Sequence, residues 1–263
     1  MIENKSVYDA PAVAADYGRQ AHLQPAEETI LQMMRPHLPK AKMLDLGVGG
    51  GRTTLHFAHL VREYVGADYS EAMIIECRKR FSGFPTHISF KLCDARSMQM
   101  FENGSFDFIL FSHNGIDCVS HEDRLKILQE IRRVGRPGGY FCFSTHNLNW
   151  AVNLFELRRM ISLDPRLAIR TAKRVALRCF YNWRVRASAV KNSPYILFND
   201  GAHHRKMQMH YIRPLEQIAA LSEAFGDIRV FSSITGAEIG DQIKLRCVED
   251  PWLYYLCKIK QRG

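Results

Sequence analysis

No stretch of the 263 residues approaches the roughly 18 consecutive apolar residues that a membrane-spanning helix needs, so no transmembrane segment is expected. Cys-x-x-Cys pairs are also missing. The seven cysteines are odd in number and mostly sit in apolar runs, as Cys142 does. That pattern fits buried free thiols in a reducing compartment and argues against a disulfide frame. Residues Met1–Asp9 carry Glu3 and Asp9 and lack an apolar h-region, so no secretory signal is expected and the reading is cytoplasmic. Internal repeats and low-complexity tracts are absent. A composition of 46% hydrophobic and 24% charged residues excludes a disordered or collagen-like chain. The length suits one domain carrying a sizeable insertion.

Acidic residues are scarce in one segment. Residues 151–192 hold ten Lys or Arg against only Glu156 and Asp164, a net +8 of the chain's formal +9. The basic character therefore belongs to one segment and is not a footprint of nucleic-acid binding spread over the whole chain.

What is present is an alternation of strand and helix signals. Pro25–His37, with Pro at the first position and Pro39 beyond the end, predicts a helix. Lys42–Leu46 predicts a strand, Thr53–Leu60 a helix, Tyr64–Asp68 a strand, and Glu71–Phe81 a helix with Ser70 as its N-cap. Ile88–Cys93 and Phe106–Ser112 predict strands, the second apolar on both faces as a buried parallel strand should be. His121–Val134 predicts a helix, and a Pro137-Gly138-Gly139 turn leads to a strand at Tyr140–Thr145. This order implies a parallel sheet with helices on both faces. It breaks over residues 147–192, which show two helical stretches divided at Asp164-Pro165. Tyr195–Phe198 and Met207–Ile212 flank Asn199-Asp200-Gly201 and predict a hairpin. A helix at Pro214–Ala224 and strands at Asp227–Ser232 and Trp252–Ile259 complete the chain.

The strongest local signal is Leu44-Asp45-Leu46-Gly47-Val48-Gly49-Gly50-Gly51-Arg52, a strand that ends in Gly-x-Gly-x-Gly and opens a helix. Glycines there let the backbone turn sharply and approach a ligand. A dinucleotide fingerprint asks for Gly or Ala at position 52, where this chain has Arg. That favours a nucleoside ligand without a pyrophosphate. Asp68 ends the second strand, where a carboxylate can accept from both ribose hydroxyls. Asp94 ends the third, where a carboxylate can accept from an exocyclic adenine amine.

With these residues the chain resembles the class I S-adenosylmethionine-dependent methyltransferases of small-molecule type. The resemblance covers about residues 42–146: the glycine loop, Gly66-Ala67-Asp68-Tyr69-Ser70-Glu71-Ala72-Met73, Cys93-Asp94-Ala95, Phe106–Leu110 and Glu130–Gly139 occur in the family's order. Val48 stands where the family often has Cys or Ala, and Gly135 where Leu is common. The resemblance implies a doubly wound, seven-stranded, mostly parallel sheet of Rossmann-like methyltransferase type with a helical and hairpin cap insertion, its strand six parallel and its strand seven antiparallel. The implied cofactor is S-adenosyl-L-methionine, with S-adenosyl-L-homocysteine as product. Gly47, Gly49 and Gly51 would line its methionine part, Asp45 would reach its ammonium, Asp68 would bind the ribose, Tyr69 and Met73 would pack on the adenine, and Asp94 and Ala95 would hold the adenine edge. Ser112 and His113 would sit beside the methionine moiety, and Tyr17 is the candidate lid over the cofactor. No metal site is expected; His203, His204 and His210 lack a zinc-finger spacing.

A hydroxyl acceptor calls for a general base, whereas an amine acceptor needs only orientation. His113 follows strand four and His146 follows strand five, both at the crevice end of an open parallel sheet, so either is a candidate base or substrate contact. On a helix, Arg166, Arg170, Lys173, Arg174 and Arg178 fall within roughly 140° of one another, opposite an apolar arc that includes Phe180 and Trp183. Such a basic helix, residues 165–183, fits a lid over a small acceptor, including an anionic one, or an RNA backbone, or an acidic membrane surface. Aromatics on the apolar arc favour packing over RNA stacking. The expected organisation is 1–146 for the lid segment and cofactor core, 147–212 for the cap, and 213–263 for the rest of the core. The reading is a methyltransferase acting on O or N of a small, secondary-metabolite or sugar-like acceptor. The alternatives are an RNA-modifying methyltransferase and a non-catalytic S-adenosylmethionine-binding protein.

Overall fold

The computed structural model describes residues 5–152, 154, 176–177, 180–183, 185, 187–201 and 207–261. Its strands are β1 (Lys42–Leu46), β2 (Glu63–Asp68), β3 (Ile88–Leu92), β4 (Phe106–Phe111), β5 (Gly135–Asn147), β6 (Tyr195–Phe198), β7 (Met209–Ile212), β8 (Phe225–Ser232) and β9 (Trp252–Ile259). The first five lie parallel in the order β3-β2-β1-β4-β5. β9 runs antiparallel beside β5, and β8 runs antiparallel to β9, so β8 points the same way as β5. This is a seven-stranded, mostly parallel, Rossmann-like methyltransferase sheet, as the sequence predicts, with one inserted antiparallel strand. The β6/β7 hairpin is added at the end of β5, where His146 pairs with Tyr211 and Asn147 with Ile212.

The sheet forms because β4 is apolar on both faces. Phe106, Ile109 and Phe111 join one buried cluster with Ile131, Phe141 and Tyr255. Phe108 and Leu110 join the other, with Ile30, Phe57 and Tyr64. Burying such side chains on both sides contributes on the order of 1.5–3 kcal/mol each. Helix His121–Val134 follows a Ser120 cap, whose Oγ accepts from the Asp123 amide at 3.2 Å, and buries Ile127, Leu128, Ile131 and Val134 along one stripe.

Three differences from the sequence prediction have local causes. The Pro137-Gly138-Gly139 segment is a bulge inside β5, not a turn before it: Gly135 already pairs with Phe106, and the ladder resumes with Tyr140 opposite Phe108. The connection after β8 holds a short helix, Gln242–Cys247, capped by Asp241. At the cap, Phe180 and Trp183 are 73% and 75% exposed, so they do not form the buried face of a helix. Asn182 packs in their place: its amide exchanges bonds of 2.8 and 2.7 Å with the backbone of Asn199, and the chain turns at 182–183. A continuous helical angle therefore does not carry through that point. Most of the basic segment, including Arg166, Arg170, Lys173, Arg174 and Arg178, lies outside the described residues, as do His203 and His204.

Candidate active site

β1 and β4 splay their loops at the same sheet end, and a cleft opens between them. It has two connected parts of about 340 and 630 Å³ that share Tyr17, Gly47, Gly49, Ser112 and His113. Gly47 and Gly49 hold φ of 61° and 53°, backbone that side-chain-bearing residues adopt with strain. Gly50 is required for another reason: a Cβ there would lie 2.3 Å from the Gly18 nitrogen, so the N-terminal helix Pro11–Gly18 rests directly on the loop.

Asp68 ends β2 with its carboxylate 6% exposed as a residue. Oδ2 accepts from the Gly49 amide at 3.0 Å and Oδ1 from the Ser70 amide at 2.9 Å. These bonds fix the carboxylate against the glycine loop and leave lone pairs for a ligand. Burial pushes its pKa up to about 6. Asp45 is likewise buried and pushed up to about 6 by desolvation, while accepting from Thr53 Oγ1 and Tyr64 OH.

Tyr17 lines both parts of the cleft, and Tyr69, Met73, Cys93 and Ala95 line the larger. Tyr8 joins them, its ring 6.1 Å from that of Tyr17 and 6.0 Å from that of Tyr69 in edge-to-face packing. The Tyr69 hydroxyl is buried with no protein partner. Two predicted residues are placed apart from the cleft. Asp94 is occupied by Arg96 through several hydrogen bonds and does not line it. Gly51 faces the Phe81 ring, which a Cβ would meet at 2.3 Å, and so serves helix packing.

His113 is exposed and lines both parts of the cleft. His146 is not among the lining residues. Its Nδ1 lies 2.8 Å from Asp117 Oδ2, and its Nε2 lies 3.2 Å from Asn114 Nδ2. Asp117 is fully buried and also takes hydrogen bonds from Arg124, Thr145 Oγ1 and the His146 amide. Burial raises the Asp117 carboxyl, but the charge of Arg124 and the bond from His146 reverse this and hold it below the usual carboxylate range.

A second buried polar centre has no counterpart in the sequence reading. Glu27, on helix Pro25–Met34, accepts from both terminal nitrogens of Arg52, from Ser112 Oγ and from Tyr254 OH. Burial raises its carboxyl, and Arg52 overcomes that to hold it low. Arg52 thus ties the glycine loop to the ends of β4 and β9 and lines the smaller part of the cleft. The available signal was Gln24-x-x-Glu27 at a helix start; the Glu27 carboxylate does accept from the Gln24 amide at 2.7 Å. Among the described residues no group of three or more metal-ligating side chains forms, and no helix is long and apolar enough to cross a membrane.

Residues 43–139 match the family described as a methyltransferase domain. Over that segment the chain is similar to S-adenosylmethionine-dependent methyltransferases. It is 33% identical over 150 residues to a phthiotriol/phenolphthiotriol dimycocerosates methyltransferase of Mycobacterium tuberculosis, covering 56% of this chain and 52% of that one. It is 28% identical over 148 residues to ajmaline N-methyltransferase of Rauvolfia serpentina, covering 53% and 49%. The chain spans about half the length of these curated relatives. Among solved structures, an S-adenosylmethionine-dependent methyltransferase from Mesorhizobium loti shares the fold with a TM-score of 0.59 at 18% identity, covering 89% of this chain and 97% of that one.

Proposed function

We propose that the protein is an S-adenosyl-L-methionine-dependent methyltransferase, EC 2.1.1.-, that methylates O or N of a small-molecule acceptor and releases S-adenosyl-L-homocysteine. The observation that carries this is Asp68, a buried carboxylate anchored by the glycine loop's own amide and open to the cleft. The fit is supported by the unpartnered Tyr69 hydroxyl and by a glycine cradle that side chains would fill. When bound, the cofactor supplies a methyl group already activated on a sulfonium. Asp68 would accept from the ribose hydroxyls, Tyr69 and Met73 would flank the adenine, and Ala95 would meet its edge. Gly47, Gly49, Asp45, Ser112 and His113 would surround the methionine end, and Gly51 would support that loop from behind. Tyr17 would close over the cleft and exclude water. His113, which lines the cleft, would be the imidazole that contacts the acceptor. Residues 147–212 would form the cap, and residues 213–263 would complete the core. Free thiols at all six cysteines found among the described residues support a cytosolic location.

The test is calorimetric titration with S-adenosyl-L-homocysteine, followed by transfer of labelled methyl across hydroxyl and amine acceptors. Binding without transfer to any acceptor would favour a sensing protein. An RNA acceptor is the second reading, favoured by the exposed Phe180 and Trp183 beside the basic segment. It requires strongly salt-dependent binding to tRNA or rRNA.

A further inference from the structure

His146 is wired at both ring nitrogens. Its backbone amide and Nδ1 both point at Asp117 Oδ2, at 2.7 and 2.8 Å. Asp117 is held ionised by Arg124, so it accepts from Nδ1–H. Nε2 lies 3.2 Å from the Asn114 side-chain amide. The ring face packs on Tyr211 of β7, centroids 4.6 Å apart. Both ring nitrogens thus have partners inside the protein, and His146 does not line the cleft.

The group that His146 holds is unusual. His113 and Asn114 are successive non-glycine residues in left-handed backbone, with φ of 55° and 60°. The Asn114 amide donates to Ser144 Oγ at 2.7 Å, and Asn114 Oδ1 is buried with no partner. Strained backbone and an orphaned acceptor persist where the surroundings over-determine them, and they cluster at functional sites. The residues this turn sets in place, Ser112, His113 and Gly115, line the cleft.

We propose that the Asp117–His146 pair is a positioning device that locks the left-handed His113–Asn114 turn and so shapes the cleft where methyl donor and acceptor meet. It is not the proton-transfer group. This rests on the cofactor reading above, since the cleft it shapes is the cofactor's.

The test compares three variants in the full chain, using S-adenosyl-L-homocysteine as the probe. His146→Ala removes both bonds; His146→Gln offers an N–H to Asp117 and an oxygen to Asn114 from one non-titrating amide. His146→Ala is expected to weaken binding about tenfold, the worth of a buried hydrogen bond to a charged group. It should also shift the backbone amide resonances of residues 112–115. His146→Gln is expected to restore affinity to within about threefold of the parent. Asn114→Gly, which tolerates the left-handed backbone while deleting the carboxamide, should reproduce the alanine variant and keeps the test valid if His146→Ala fails to fold. Unchanged affinity and unchanged 112–115 resonances in the alanine and glycine variants would overturn the proposal. So would a glutamine variant as weak as the alanine one at unaltered thermal midpoint. If the parent chain does not bind the probe, the cofactor reading fails instead.

Discussion

Glu27 and Arg52 form a buried ion pair, 0% and 11% exposed at the side chain, that joins the first long helix to the glycine loop. The pair is closed by two Arg nitrogens on two carboxylate oxygens, with Ser112 and Tyr254 satisfying the remaining acceptor capacity. Removing one member of such a pair strands the other charge in a low-dielectric site. Glu27→Gln is expected to lower unfolding stability by about 3–5 kcal/mol, measured by denaturant titration at pH 7. A change below about 1 kcal/mol would mean that water reaches Arg52.

Asp68→Ala removes the proposed acceptor for the ribose and the anchor of Gly49. Affinity for S-adenosyl-L-methionine should drop at least about tenfold in calorimetry. Unchanged binding would remove Asp68 from the site.

The same residue sets a pH dependence. Its folded pKa of about 6 lies above the ordinary carboxylate value because burial penalises the charge. Above pH 6 Asp68 is ionised and accepts at both oxygens; below it the carboxyl takes a proton. Cofactor affinity should therefore fall as pH drops from 7 to 5. A flat profile across that window would show that the ionised form is not needed.

Gly50→Ala places a methyl group on the Gly18 backbone, which has no flexible side chain to yield. The N-terminal helix should be displaced and become sensitive to limited proteolysis, while the thermal midpoint of the rest changes little. Protection equal to that of the parent would show that the loop can shift to accept the methyl group.

His210 is buried, and desolvation depresses its pKa to about 3. The unfolded chain binds this proton near pH 6.5 and the folded chain does not, so the contribution is complete above pH 6.5 and lost as pH falls toward 3. His210→Phe keeps the stack against Tyr195 and His121. Its stability should fall less steeply between pH 6.5 and 4, by up to roughly 1.4 kcal/mol per pH unit. Parallel curves for parent and variant would contradict the depressed value.

Elements governed by neighbouring residues were legible in the sequence. Lys42–Leu46, Tyr195–Phe198, Trp252–Ile259 and His121–Val134 carry their own apolar pattern or cap and occur with the predicted bounds. The helix Gln242–Cys247 was not legible, because it is short and buries Leu245 alone. Phe180 and Trp183 misled because Asn182 binds Asn199, a partner in the hairpin that no local pattern announces.

The sequence by itself determined the strand order's raw material, the glycine loop and the acids at the ends of β2 and β3, because each is a contiguous motif whose backbone need is written in a few adjacent residues. Only the tertiary structure decided which polar groups meet. Glu27 reaches Arg52 across 25 positions and Asp117 reaches His146 across 29, pairs made when separate strands and helices bring their ends to one edge of the sheet. Burial then fixed their roles: one histidine, His113, stands at the cleft, while His146 is held behind it by a carboxylate it cannot leave.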